Sequence, residues 1–210
     1  MLTKGQKIAL KIIFNSPLAK IATWGGGTAL SEIYLKHRAS SDIDIFLSQM
    51  PPLTEITLLA NEIKKALGVK TMASFSIMNR FQYVFEYKES ELKLEFVYYP
   101  FAKLATDKQV GKIKVESLLD IAVSKTLTSY QRQEPKDALD MYFLLQKYTL
   151  KRLIAGVEKK FGEQIDSAHL LAKLTRNLTG CQAIKPLLYN KISRGMIKKF
   201  FQKKFNQLKF

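Results

Sequence analysis

After Asp166 the sequence contains no acidic residue, yet ten lysines and arginines follow between Lys173 and Lys209. The chain carries 34 Lys and Arg against 18 Asp and Glu, so ten of its sixteen excess positive charges sit in this final stretch. The imbalance points to a polyanionic partner, most simply nucleic acid. A solvated basic face is the plainer alternative. Cysteine is nearly missing. The single Cys181 excludes an internal disulfide framework and fits a reducing, cytoplasmic compartment. No apolar run approaches the roughly 20 residues that span a bilayer. The N-terminus, MLTKGQKIALKIIFN, interleaves lysines with apolar residues and lacks the uninterrupted core of a signal peptide. The two histidines, His37 and His169, have no neighbouring histidine or cysteine with which to form a zinc set. Internal repeats and low-complexity tracts are absent. The triplet Asn177-Leu178-Thr179 matches a glycosylation acceptor, a chance match in a cytosolic chain.

What remains is ordinary globular material: 47% hydrophobic and 25% charged over 210 residues, enough for one large domain or two small ones. Helical spacing of Ile8, Leu10, Ile12 and Ile13 predicts a first helix. Strands are expected around Ala22–Trp24, Asp42–Leu47, Lys70–Ile77, Phe81–Tyr87 and Leu92–Tyr98, the last two joined by a turn at Lys88-Glu89-Ser90-Glu91. Helices are expected at Thr28–Lys36 and Leu53–Leu67, and again from Glu116 onward, ending with one over Lys191–Leu208. The reading is a mixed α/β core over residues 1–115, then an all-helical domain with a basic tail over 116–210.

One stretch breaks local rules. GGGTALSEIYLKHRASSDIDIFL, Gly25 to Leu47, places three glycines before a short helix and two aspartates in an apolar strand. Glycine raises the entropy cost of ordering and Asp is depleted in strands, so a functional site is the first suspect. Asp42 and Asp44, at i and i+2, share a strand face about 6–7 Å apart. Two carboxylates that close call for a cation between them. Hard oxygen ligands suit Mg2+, with Mn2+ also possible. Glu95, on the opposite side of its strand from Leu94 and Phe96, is the candidate third ligand; the plainer reading is a solvent-side residue of an edge hairpin. Gly26 and Gly27 between strand and helix let backbone amides approach a phosphate. Thr28 either caps the helix or offers its hydroxyl to that phosphate. A phosphate cradle facing a metal site is the chemistry of a nucleoside triphosphate.

Gly26-Gly27-Thr28, followed after thirteen residues by Asp42-Ile43-Asp44, resembles the signature of the nucleotidyltransferase superfamily with its polymerase-beta-like fold. The wording Gly-Gly-Thr-Ala-Leu, then His37-Arg38-Ala39-Ser40-Ser41-Asp42-Ile43-Asp44, resembles the AbiEii/AbiGii-type branch, whose members include toxins of toxin–antitoxin and abortive-infection systems. Lys125 in a helix, then Lys136-Asp137-Ala138-Leu139-Asp140-Met141, resembles that branch's helical motif, with Met141 in place of the usual Leu. The resemblance implies an α/β (α+β) nucleotidyltransferase core with a mixed sheet, followed by helices, and a Mg2+-dependent transfer of NMP from an NTP. It assigns Asp42, Asp44 and Glu95 to metal and catalysis, Gly26, Gly27 and Thr28 to the triphosphate, Lys125 to the triphosphate as well, and Asp137 to orienting Lys125 or shaping the cleft. Arg38 is read as a phosphate contact or a helix-terminal cation, Ser41 as a nucleotide-side or turn-capping residue, and His37 as exposed. The implied partners are an NTP, an RNA or tRNA acceptor and a cognate antitoxin. A small-molecule or protein acceptor, or a non-catalytic binding module, are the alternatives.

The final helix carries an apolar stripe, Ile192, Met196, Ile197, Phe200, Phe201, Phe205 and Leu208, interspersed with Lys198, Lys199, Lys203 and Lys204. It reads as a packed helix with a basic, RNA-facing outer side, although a basic amphipathic helix can also lie on a membrane. No stable membrane association is expected.

Overall fold

The computed structural model describes residues 2–87, 90–176, 178 and 192–208. Lys88 and Glu89 of the expected turn, Asn177 and Thr179 of the triplet, Cys181, and the cations Lys185, Lys191 and Lys209 lie outside the described residues. The chain divides into two compact units. One comprises Met1–Tyr34, Ser40–Ala102 and Thr106–Ser117; the other comprises Leu35–Ala39, Lys103–Ala105 and Leu118–Phe210.

In the first unit, helix α1 (Lys4–Asn15) starts at a reciprocal cap: Thr3 Oγ1 accepts from the Gln6 amide and Gln6 Oε1 accepts from the Thr3 amide. Its buried side bears Leu10, Ile13 and Phe14. A short 3-10 turn, Pro17–Lys20, leads into β1 (Ala22–Gly25), buried along its whole length and central in the sheet. A single α turn, α2 (Gly26–Ala29), follows and loosens into a π-helical segment, Leu30–Leu35. Then come β2 (Ile43–Leu47), helix α3 (Leu53–Leu67), β3 (Met72–Ile77), β4 (Arg80–Tyr87) and β5 (Ser90–Tyr98). A small hairpin, β6 (Lys108–Val110) and β7 (Ile113–Val115), turns at Gly111 with φ +60°. These seven strands form one mixed sheet in the order β3-β4-β5-β2-β1-β7-β6. β1 runs antiparallel to β2 and parallel to β7, and β2 runs parallel to β5.

The alternation in β2 decides which residues face the core. Ile43, Ile45 and Leu47 are fully buried, so Asp44 and Phe46 stand on the other face. Leu94 and Phe96 do the same on β5, leaving Glu95 beside Asp44. The expected strands and helices of this unit are present. The β6–β7 hairpin was not anticipated, because three-residue strands carry too little alternation to read.

The second unit holds α4 (Leu118–Gln131), α5 (Pro135–Leu144), α6 (Leu150–Phe161), α7 (Ser167–Arg176) and α8 (Arg194–Asn206). Its buried Asp120 accepts from the amides of Leu104 and Ala105 and from Lys160 Nζ at 2.7 Å, which ties the Lys103–Ala105 segment to α4 and α6. The stripe of α8 is core: Ile197 and Phe201 are fully buried, and Phe200 meets Tyr142 edge-to-face at 4.9 Å. Lys198, Lys199 and Lys203 are exposed. Among the described residues, no helix is long and apolar enough to cross a membrane.

Candidate active site

Two glycines of the opening stretch are explained by side chains of β2, Gly26 by Asp44 and Gly25 by Phe46. Register pairs Asp44 with Gly25 on one side and with Glu95 on the other. Gly26 has φ +69°, a conformation that favours glycine. A Cβ there would lie 1.8 Å from Asp44 Oδ2. A Cβ on Gly25 would lie 2.3 Å from the Phe46 ring. The turn is thus built so that a carboxylate and an aromatic ring from β2 approach its backbone.

Thr28 is 1% exposed, and its hydroxyl donates to the carbonyl of Asp42. The residue occupies the third helical position, with Gly25 at the cap, so the expected capping role does not hold. With its proton given to Asp42, the hydroxyl pins the turn to the start of β2. Asp42 lies just before β2, half-buried, and its Oδ1 accepts from Ser41 Oγ at 3.0 Å. Gln6 of α1 donates to the Ser41 carbonyl at 2.8 Å and steadies this approach. Lys93 lies nearby on β5. Its pKa is raised, mainly by the hydrogen bond and charge of Glu91 and in smaller part by Asp42.

Glu95 Oε2 lies 3.2 Å from the Arg80 guanidinium, which is 59% exposed. An ion pair this open to water contributes about 0–1 kcal/mol, so Arg80 holds Glu95 only weakly. Among the described residues, no three His, Cys, Asp or Glu side chains converge to hold a metal ion. Asp44 and Glu95 are brought to adjacent strand positions and Asp42 lies just before β2, but the three are not gathered into a closed ligand set. Their donors are all carboxylate oxygens, and the turn leaves a cradle beside Asp44 that only glycine permits. That chemistry fits a hard divalent cation.

The second unit contains a buried ionic network built on α4, α5 and the segment Leu35–Ala39. Asp137 and Asp140 share one face of α5 at i and i+3, and both are fully buried. Asp140 takes the Arg38 guanidinium as a fork, Nε at 2.6 Å and an Nη at 2.9 Å. It also meets Lys125 Nζ at 2.8 Å and His37 Nε2 at 2.6 Å. Burial alone would push the Asp140 pKa up. The charges of Lys125 and Arg38, with hydrogen bonds from His37 and Arg38, outweigh it and hold the carboxyl well below the usual range. Asp137 takes Arg132 through Nε at 2.7 Å and an Nη at 3.0 Å, and lies 3.5 Å from Lys125.

Lys125, Asp137 and Arg38 are therefore assembled together in this unit. Arg38 is 3% exposed with its fork on Asp140, which differs from either the open phosphate contact or the helix-terminal cation that the sequence offered. His37 was expected to be exposed and is completely buried, its ring 5.0 Å from Phe143. Its burial follows from Asp140, which supplies the partner an imidazole needs away from water. Asp140 itself had no role in the sequence reading. The signal was present in the i, i+3 spacing of Asp137 and Asp140. His169 packs edge-to-face on Tyr130 at 5.4 Å and joins no metal-binding cluster among the described residues.

The fold is similar to those of several solved bacterial structures. JHP933 from Helicobacter pylori matches with a TM-score of 0.62 at 18% identity, covering 97% of this chain and 91% of that one. A second Helicobacter pylori structure, described as a putative nucleotidyltransferase, gives 0.56 at 16% identity over 99% and 96%. MenT4, a nucleotidyltransferase toxin from Mycobacterium tuberculosis, gives 0.59 at 13% identity over 97% and 82%. No curated protein sequence matches the chain. Residues 8–208 match the family described as "Nucleotidyl transferase AbiEii toxin, Type IV TA system". With nearly its whole length inside that match, the chain belongs to the AbiEii nucleotidyltransferase toxin family.

Proposed function

We propose that this nucleotidyltransferase moves a nucleoside monophosphate from an NTP to a hydroxyl of an RNA acceptor, with Mg2+ as its metal. The observation that carries the reading is the position of Asp44, in register with Glu95 and pressed against the Gly26 backbone. Asp42 and Asp44 would hold the ion, with Glu95 as the third carboxylate once it leaves Arg80. When bound, the metal supplies positive charge for the triphosphate and for the departing pyrophosphate.

The chain's own residues do the rest. The backbone at Gly26 and Gly27 orients the β- and γ-phosphates. The acceptor oxygen bonds to the α-phosphorus as the bond to the bridging α–β oxygen breaks, and the hydroxyl proton passes to Glu95. Positioning and electrostatics lower the barrier, with no covalent nucleophile. The RNA acceptor is supported by the sixteen excess positive charges and by the exposed Lys198, Lys199 and Lys203 on α8. Family membership supports a toxin acting beside a cognate antitoxin.

Calorimetry with a non-hydrolysable NTP tests the metal and nucleotide roles without requiring turnover. Binding that needs Mg2+ and vanishes in Asp42→Asn/Asp44→Asn upholds the reading. Metal-independent binding, unchanged in that variant, contradicts it.

A further inference from the structure

We propose that the groove between α1 and the β6–β7 hairpin is a docking site for an acidic amphipathic helix of a partner protein. The groove has a volume of ≈ 430 Å³ and lies within the first unit, away from the Asp44 face in sequence and in sheet order. Leu10 and Phe14 of α1 form its floor with Val110 and Ile113 of the hairpin. Lys7, Lys11 and Lys112 form its rim, and among the described residues no acidic side chain lines it. All three rim lysines are exposed. Lys112 Nζ donates to Asn15 Oδ1 at 2.9 Å, which anchors one rim charge across the end of the groove. α1 contains no acidic residue that could neutralise this edge.

The two features select the occupant together. An apolar floor asks for apolar anchors, and a three-lysine rim asks for carboxylates around them. A helix with leucine-like residues at i, i+3, i+4 and i+7 and acids on its flanks supplies both. RNA satisfies the rim but not the floor. Single strands bind on exposed aromatic faces, whereas among the described residues the one ring lining this groove, Phe14, is 4% exposed. The floor is otherwise aliphatic.

The test uses the full chain and a fluorescent designed peptide of about 14 residues, near the length at which isolated helices begin to form. It carries Leu at the four anchor positions and Glu at the flanks. Controls are a scrambled peptide of the same composition, a Lys-for-Glu peptide, a labelled single-stranded RNA, and phosphatidylglycerol vesicles. The variants are Lys7→Glu/Lys11→Glu and Val110→Asp. Val110 is 38% exposed, so the fold should tolerate the change, and thermal melting checks it.

Saturable binding of the Leu/Glu peptide at roughly 0.15 M salt, weakened about tenfold or more by each variant and absent for both control peptides, supports the proposal. Equal binding of the scrambled peptide, or indifference to Val110→Asp, overturns it. So does a groove that takes RNA or vesicles in a Lys7/Lys11-dependent way while the peptide fails to bind.

Discussion

The Lys125 ammonium lies 2.8 Å from Asp140 Oδ2, and the same carboxylate grips the Arg38 guanidinium and the His37 ring. One buried anion on α5 therefore fixes side chains from two other stretches of sequence, His37-Arg38 and the helix that bears Lys125. Asp140→Asn would leave Lys125 and Arg38 short of their counter-charge in a site closed to water. Breaking a buried pair in this way costs about 3–5 kcal/mol. Urea unfolding of the variant is expected to show a loss of that size, with Lys125→Met losing less because a carboxylate with two remaining partners stays compensated.

The same network gives an acid dependence. Asp140 is held below its ordinary pKa of about 3.9 in the folded state. Its contribution is fully present above that unfolded value and is lost as pH falls through the lower folded one. Stability measured from pH 6 downward should fall more steeply for the wild type than for Asp140→Asn. Parallel curves would assign the acid sensitivity to other carboxylates.

Gly26→Ala tests the turn. The left-handed backbone alone costs an ordinary residue about 1–2 kcal/mol, and the new Cβ would meet Asp44 Oδ2. Asp44 must move or the turn must open. Loss of transfer by tenfold or more is expected, with only a modest drop in melting temperature. Full activity would show that the close approach of Asp44 to the turn is dispensable.

Thr28 separates a structural bond from a phosphate contact. Thr28→Val keeps the shape but leaves the Asp42 carbonyl without its donor, at about 1–3 kcal/mol. Thr28→Ser keeps the donor and should restore stability. If instead both variants melt like wild type and Thr28→Val fails only in NTP binding, the hydroxyl serves the nucleotide.

Acceptor binding should weaken linearly in log–log form with salt, at a slope of about −0.7 per phosphate neutralised on a single strand. Charge reversal at Lys198, Lys199 and Lys203 should make that slope shallower. A flat salt response would remove the charge argument for RNA.

The β2 side of the site was legible in the sequence because strand alternation is short-range. Ile43 and Ile45 against Asp44, and Leu94 and Phe96 against Glu95, fix which face each residue takes whatever the topology. The parallel pairing of β2 with β5 then sets Asp44 opposite Glu95, a neighbourhood of strands that alternation alone does not fix. His37 and Arg38 were illegible for the opposite reason. Their burial depends on Asp140, about a hundred positions away, and nothing in the local pattern distinguishes a buried Arg from a helix-terminal one. The β6–β7 hairpin and its groove were hidden by strands too short to show a period. The stripe of α8 could be read as packing or as a membrane face, and only the burial of Ile197 and Phe201 decides for packing.

The most direct test of the proposed transfer is label incorporation. The purified chain is incubated with Mg2+, each α-labelled NTP in turn and total cellular RNA, beside Asp42→Ala/Asp44→Ala. Label entering a defined RNA band with one NTP, and absent with the variant, is the expected result. Label that never enters RNA while Mg2+-dependent NTP binding persists, or incorporation that survives loss of both aspartates, would contradict it.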